Sequence, residues 1–136
     1  MSLGIIEFHH VNVTVPRALE DATKHFYGVV LGLKQLQKPE GSRTNVGAWY
    51  QLGAMQLHLS IEDEVDNRVS DRHVCYTVRD VALAEEYFRA AGVVVIADPR
   101  PIPGRPRTYV RDPGGNLIEI AQRSTEGSTE GSTEVV

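Results

Sequence analysis

The chain is short of most features that would place it quickly. It has a single cysteine, Cys75, in 136 residues. An internal disulfide is therefore impossible, and a reducing cytoplasm is the expected compartment. No partner cysteine stands at zinc-type spacing. No apolar run is long: "AAGVVVIA" at 90–97 is far below the roughly 20 residues that span a membrane. No basic segment followed by an apolar stretch opens the chain, so export is not expected. Basic excess is also missing. The net charge is −4, and a nucleic-acid binder usually shows a basic face.

The negative charge is concentrated at the end. "STEGSTEGSTEVV" (124–136) carries three Glu and no Lys or Arg, which leaves the body at about −1. The segment has almost no apolar surface, and residues 123–136 are expected to be a disordered tail. The body, 5–122, is expected to be one domain, with enough apolar residues (41%) for a real core.

What the body does contain is a repeat. "HVNVTV" at 10–15 and "HVCYTV" at 73–78 agree at four of six letters. The likeness extends past them. After Val15, Leu19, Ala22, Phe26 and Val30 recur at helical spacing and Gly32 stands at the expected stop. After Val78, Asp80 can cap a helix whose apolar stripe is Val81, Ala84, Phe88 and Ala91, with Gly92 at its end. Strand-like segments follow at about 34–38, 46–52 and 55–61, and again at about 93–97, 107–111 and 116–121. Gly- and Pro-rich turns ("KPEG", "LGAM", "DPRPIPG", "DPGGN") separate them. Both halves read β-α-β-β-β, about 5–61 and 72–122, joined by a polar linker near 62–72. Two copies of so long a period indicate a duplicated module rather than a solenoid.

Strand alternation then sorts the side chains. In 8–15 the valines share one face with His9 and must meet the helix, so His10, Asn12 and Thr14 face the other way. By the same rule His58, His73 and Glu119 lie on the face away from the helix. The His10–His58 and His73–Glu119 separations, 48 and 46 residues, are nearly equal. If the modules pair with approximate two-fold symmetry, three imidazoles and a carboxylate converge, a set suited to Zn, Fe(II), Ni, Co or Mn. A lone His on a strand is more often a plain polar residue; four at matching positions of a repeat are harder to assign so. His9, on the valine face, and His25, with no counterpart in the second half, are assigned to structure.

"FHHVNVTV", "FYGVVLGL", "QLHLS", "RHVCYTV" and "YVRDPGGNLIEI", in that order across roughly 6–122, resemble the vicinal oxygen chelate superfamily. That group includes glyoxalase I, bleomycin and fosfomycin resistance proteins and extradiol dioxygenases. The resemblance implies an α+β fold of two βαβββ modules whose mixed sheet curls around a cavity. It implies metal ligands at His10, His58, His73 and Glu119, with Glu119 also a candidate general base. His58 departs from the pattern, because glyoxalase I-like proteins usually carry Glu or Gln there. Short relatives often dimerise, so a homodimer is expected, with His10 and His58 from one chain and His73 and Glu119 from the other.

The implied function is a metal-dependent lyase, isomerase or dioxygenase. Its small substrate would chelate the one divalent metal per site through vicinal oxygens. The alternatives are a metal-free drug-binding protein of the bleomycin-resistance kind and a fosfomycin-type thiol transferase. The proline-stiffened loop "PRPIPGRPRTY" (99–109) carries Arg100, Arg105 and Arg107. Arg107 is the candidate for an anionic substrate group, since guanidinium forks match carboxylate or phosphate. Trp49 and Tyr109 are candidate aromatic walls, as is Tyr50.

Overall fold

The structure, a computed structural model, describes residues 1–124. The proposed tail from 125 onward lies outside the described residues. Chain contacts divide the protein into two compact units. One is Met1–Asn67 with Pro113–Asn116; the other is Arg68–Asp112 with residues 117–124. Each is a βαβ-type module with its own mixed sheet, so the fold class is α+β.

In the first unit β1 (His10–Val15) leads through a composite helix to β2 (Lys34–Leu36), β3 (Ala48–Leu52) and β4 (Met55–Ile61). The sheet order is β1-β4-β3-β2, with β1 and β4 parallel and the other neighbours antiparallel. The parallel pair is possible because the helix carries the chain over the sheet between its strands. Val15, Leu57, Leu59, Ala48 and Tyr50 form the buried side under Phe26 and Tyr27. Asn67 closes the unit by donating to the carbonyls of Thr14 (2.8 Å) and Gly114 (3.1 Å), and Asn116 donates to Thr14 as well (3.0 Å).

The helix differs from a regular amphipathic one. A 3₁₀ turn (Arg17–Leu19) precedes α1 (Glu20–His25), and a π turn (Phe26–Val30) follows it. These tighter and wider turns shift the phase of the stripe. Thr23 and Tyr27 are therefore buried, whereas Ala22, expected inside, is exposed.

In the second unit β5 (His73–Val78), α2 (Val81–Ala90), β6 (Arg107–Arg111) and β7 (Leu117–Gln122) give the order β5-β7-β6, with β5 and β7 parallel. Asp80 caps α2 by accepting from the Leu83 amide at 3.2 Å, as its position predicts, and Gly92 leaves the helix at φ +80°. Ala91 is exposed rather than part of the stripe. The core is Val81, Phe88, Val110, Ile118 and Ile120.

The strand expected at 93–97 reduces to one bridge, Ile96 with Tyr109. Beyond it Asp98 turns to bond Arg107, and Pro99, Pro101 and Pro103 have no N–H to extend a ladder. Likewise the strand expected at 46–52 starts at Ala48, because Gly47 is left-handed (φ +71°). The one expected at 34–38 stops at Leu36, since Lys38 folds back to donate to the carbonyls of Arg43 and Val46. Among the described residues no helix is long and apolar enough to cross a membrane.

Candidate metal and substrate half-sites

The alternation read from sequence holds where the strands are regular. On the helix-free face of the first sheet, β1 places His10 beside Gln56 of β4, and Asn12 beside His58. From the other side β3 places Trp49 opposite His58. The three rings form a stack. Trp49 and His58 lie 4.1 Å apart at 3°, and His58 and His10 lie 3.9 Å apart at 11°. His58 is only 7% exposed. Its Nε2 lies 2.8 Å from Gln56 Oε1, an acceptor, so that nitrogen carries the proton. Burial, and then the neighbouring charges of His10, His9 and Lys38, lower its pKa to about 4, so the ring is neutral at ordinary pH.

His9 is not on the valine face. β1 begins at His10, so the alternation does not reach back to residue 9. His9 is exposed, with its Nδ1 2.9 Å from His10 Nδ1. Among the described residues that contact leaves His10 Nε2 without a hydrogen-bond partner.

On the matching face of the second sheet, β5, β7 and β6 bring together His73, Cys75, Glu119, Arg107 and Tyr109. Cys75 and Tyr109 flank Glu119 in register. His73 Nε2 stands 3.1 Å from Glu119 Oε1, and His73 Nδ1 stands 2.9 Å from the Asp71 carbonyl oxygen. A carbonyl only accepts, so Nδ1 carries the proton. In the neutral ring this turns the Nε2 lone pair toward a carboxylate. The contact is attractive only with a proton or a cation between the two. Two donors on ~2.1 Å bonds at a right angle stand about 3.0 Å apart, so the separation fits neighbouring ligands of one divalent ion. The Asp71 carbonyl plays the orienting role that metal-bound imidazoles commonly need.

Arg107 is already engaged. Its Nε donates to Asp98 Oδ2 at 2.7 Å and its Nη2 to the Arg100 carbonyl at 3.0 Å, while Nη1 lies 3.8 Å from Glu119 Oε2. The Arg107 hydrogen bond holds the Asp98 carboxyl below its usual range. The guanidinium also lies over the Tyr109 ring at 5.9 Å, and Tyr109 meets His73 edge-on at 6.3 Å. Arg105 and Arg107 line a cavity of about 520 Å³ between the proline loop and the start of α2. Burial first, and then Glu119, push the Cys75 thiol up to about 11.

The predicted residues thus fall into two clusters: His10, His58 and Trp49 in one unit, and His73, Glu119, Arg107 and Tyr109 in the other. Tyr50, by contrast, is fully buried in the first core. Among the described residues no three His, Cys, Asp or Glu side chains gather to hold a metal, and each unit supplies only two of the four proposed ligands. Gln56 and Cys75 were legible as same-face neighbours from alternation alone. Asp98 and the Asp71 carbonyl carried no signal, because loop conformation brings them in.

The chain matches the profile of the Glyoxalase/Bleomycin resistance protein/Dioxygenase superfamily over residues 7–120. Among solved structures it is similar to a glyoxalase family protein from Bacillus anthracis, with 29% identity, TM-score 0.79, and 91% of this chain and 100% of that one covered. A lactoylglutathione lyase from Agrobacterium tumefaciens (23% identity, TM-score 0.65, 85% and 92% covered) shares the fold. So does a glyoxalase/dioxygenase from Nostoc punctiforme (22% identity, TM-score 0.70, 87% and 91% covered). No protein of curated function matches. With two βαβββ-like modules and a family match over most of its length, the chain belongs to the Glyoxalase/Bleomycin resistance protein/Dioxygenase superfamily.

Proposed function

We propose that this protein is a divalent-metal-dependent enzyme of the lyase, isomerase or dioxygenase kind, acting on a small substrate with two adjacent oxygens. The observation that carries the reading is the His73–Glu119 contact. His73 Nε2 and Glu119 Oε1 face each other at 3.1 Å, with Nδ1 held by the Asp71 carbonyl, a spacing that a shared divalent ion would fit in place of a shared proton. His10, whose Nε2 has no hydrogen-bond partner among the described residues, is the third ligand, and two imidazoles with one carboxylate suit Zn, Fe, Ni, Co or Mn. When bound, the metal supplies Lewis acidity toward the substrate oxygens.

The chain's own residues do the rest. Glu119, the one carboxylate of the proposed ligand set, is the candidate base, positioned by His73 at Oε1 and Arg107 at Oε2. Arg107, 3.8 Å from Glu119 and shared with Asp98, is the candidate for an anionic substrate group. Tyr109 and Trp49 supply flat apolar walls beside the ligands. Because each module holds only part of the ligand set, we propose a homodimer whose sites combine His10 of one subunit with His73 and Glu119 of the other. A reducing cytoplasm suits the single cysteine.

The test is elemental analysis of protein purified without added metal, as native chain and as His10→Ala and Glu119→Ala, with mass measured in solution. About one metal per chain in a native dimer, lost in both variants, supports the proposal. Equal metal in all three samples marks adventitious binding, and metal in none of them points to a metal-free binding protein.

A further inference from the structure

We infer that His58 is a positioning residue that fixes the plane of the His10 imidazole, and not a metal ligand. The inference rests on the metal-site reading above, since it concerns how His10 is presented. An imidazole ligates through a lone pair lying in its ring plane. The planes of His10 and His58 are 11° from parallel and stacked at 3.9 Å. A metal in the plane of one ring, ~2.1 Å from its nitrogen, therefore sits out of the other plane by nearly the whole stacking distance. The two rings in this arrangement do not share an ion.

His58 is also held in place from its other side. Trp49 covers its second face at 3°, and its Nε2–H is spent on Gln56. His10 is the outer ring of the stack. One face rests on His58, and its Nδ1 edge is fixed by His9, whose ring stands perpendicular at 86°. What remains of His10 is the Nε2 edge. Half-buried Trp49 and buried His58 thus form a platform that aims this edge, in the way outer-shell groups orient metal-bound imidazoles.

The experiment compares full-length native protein with His58→Phe, His58→Ala, Trp49→Ala and His10→Ala. Co(II) binding is followed by calorimetry and absorption. The ring protons of His10 are followed by NMR in the metal-free state. Phe keeps the flat stacking face and lacks the lone pair. His58→Phe is expected to bind Co(II) within about 3-fold of native. His58→Ala and Trp49→Ala are expected to weaken it by roughly 10- to 100-fold, the usual cost of losing an orienting group. Loss of binding in His58→Phe as complete as in His10→Ala overturns the inference, as does unchanged affinity in Trp49→Ala.

The ring-current shift of His10 should persist in His58→Phe and vanish in His58→Ala. A shift unchanged in His58→Ala overturns the inference even if the Phe variant fails to fold. Absence of Co(II) binding in the native protein defeats the metal-site reading instead, and the NMR comparison still decides whether His58 positions His10.

Discussion

Replacing Gly47 with Ala should loosen the strand that carries Trp49. Gly47 has φ +71°, and a Cβ there would fall well under 3.0 Å from the Leu59 carbonyl oxygen, a backbone atom of the central strand β4. Left-handed backbone costs an L-residue about 1–2 kcal/mol. The Gly47 amide also donates to Glu20 Oε2 at 2.7 Å. Any shift that relieves the clash weakens this bond to a charged acceptor, worth about 1.5–3 kcal/mol. The expected loss is therefore about 3–5 kcal/mol, a large share of the 5–15 kcal/mol typical of a domain. With an m-value near ~1.5 kcal/mol/M, the urea midpoint falls by about 2–3 M. Circular dichroism follows the whole chain, and fluorescence follows Trp49, the only tryptophan. Trp49 lies two residues on, in the strand that starts at Ala48, so its native emission should change as the His58 stack loosens. A loss under about 1 kcal/mol with unchanged emission would refute the reasoning.

Glu20→Gln should cost about 1–2 kcal/mol at neutral pH. The bond from the Gly47 amide, then the Lys24 ion pair, depress the Glu20 pKa below its ordinary value. The contribution is therefore present above that ordinary value, about 4.5, and is lost as pH falls through the depressed one. Urea titrations between neutral and acid pH should show a flatter profile for the variant, and parallel profiles would contradict this. Cys75, pushed up to about 11, should react with iodoacetamide at pH 8 on the order of 10- to 100-fold more slowly than a free thiol. Glu119→Gln removes the second cause of that shift and should speed the reaction; mass-spectrometric rates that do not change would show that Glu119 carries no charge felt by the thiol.

Much of the fold was legible because the strands alternate cleanly. β4 and β6 lie where the pattern predicts, and β1 and β5 carry His10 and His73 on the expected face. The failures share a cause. Ala22, His9 and the 93–97 segment were read with an ideal period, and each lies where the period breaks, at a 3₁₀-to-π helix, before the first paired residue, or beside a proline loop.

By itself the sequence determined the duplicated module, the helix caps and which residues share a face, because periodicity, capping and turn chemistry are local. Only the tertiary structure decided what those residues do to one another. Ring planes at 3° and 11°, a proton committed to the Asp71 carbonyl and an Arg107 already held by Asp98 depend on side-chain orientation across strands and loops. Spacing along the chain places a nitrogen on a face, but its tautomer and the direction of its lone pair are set by neighbours distant in sequence.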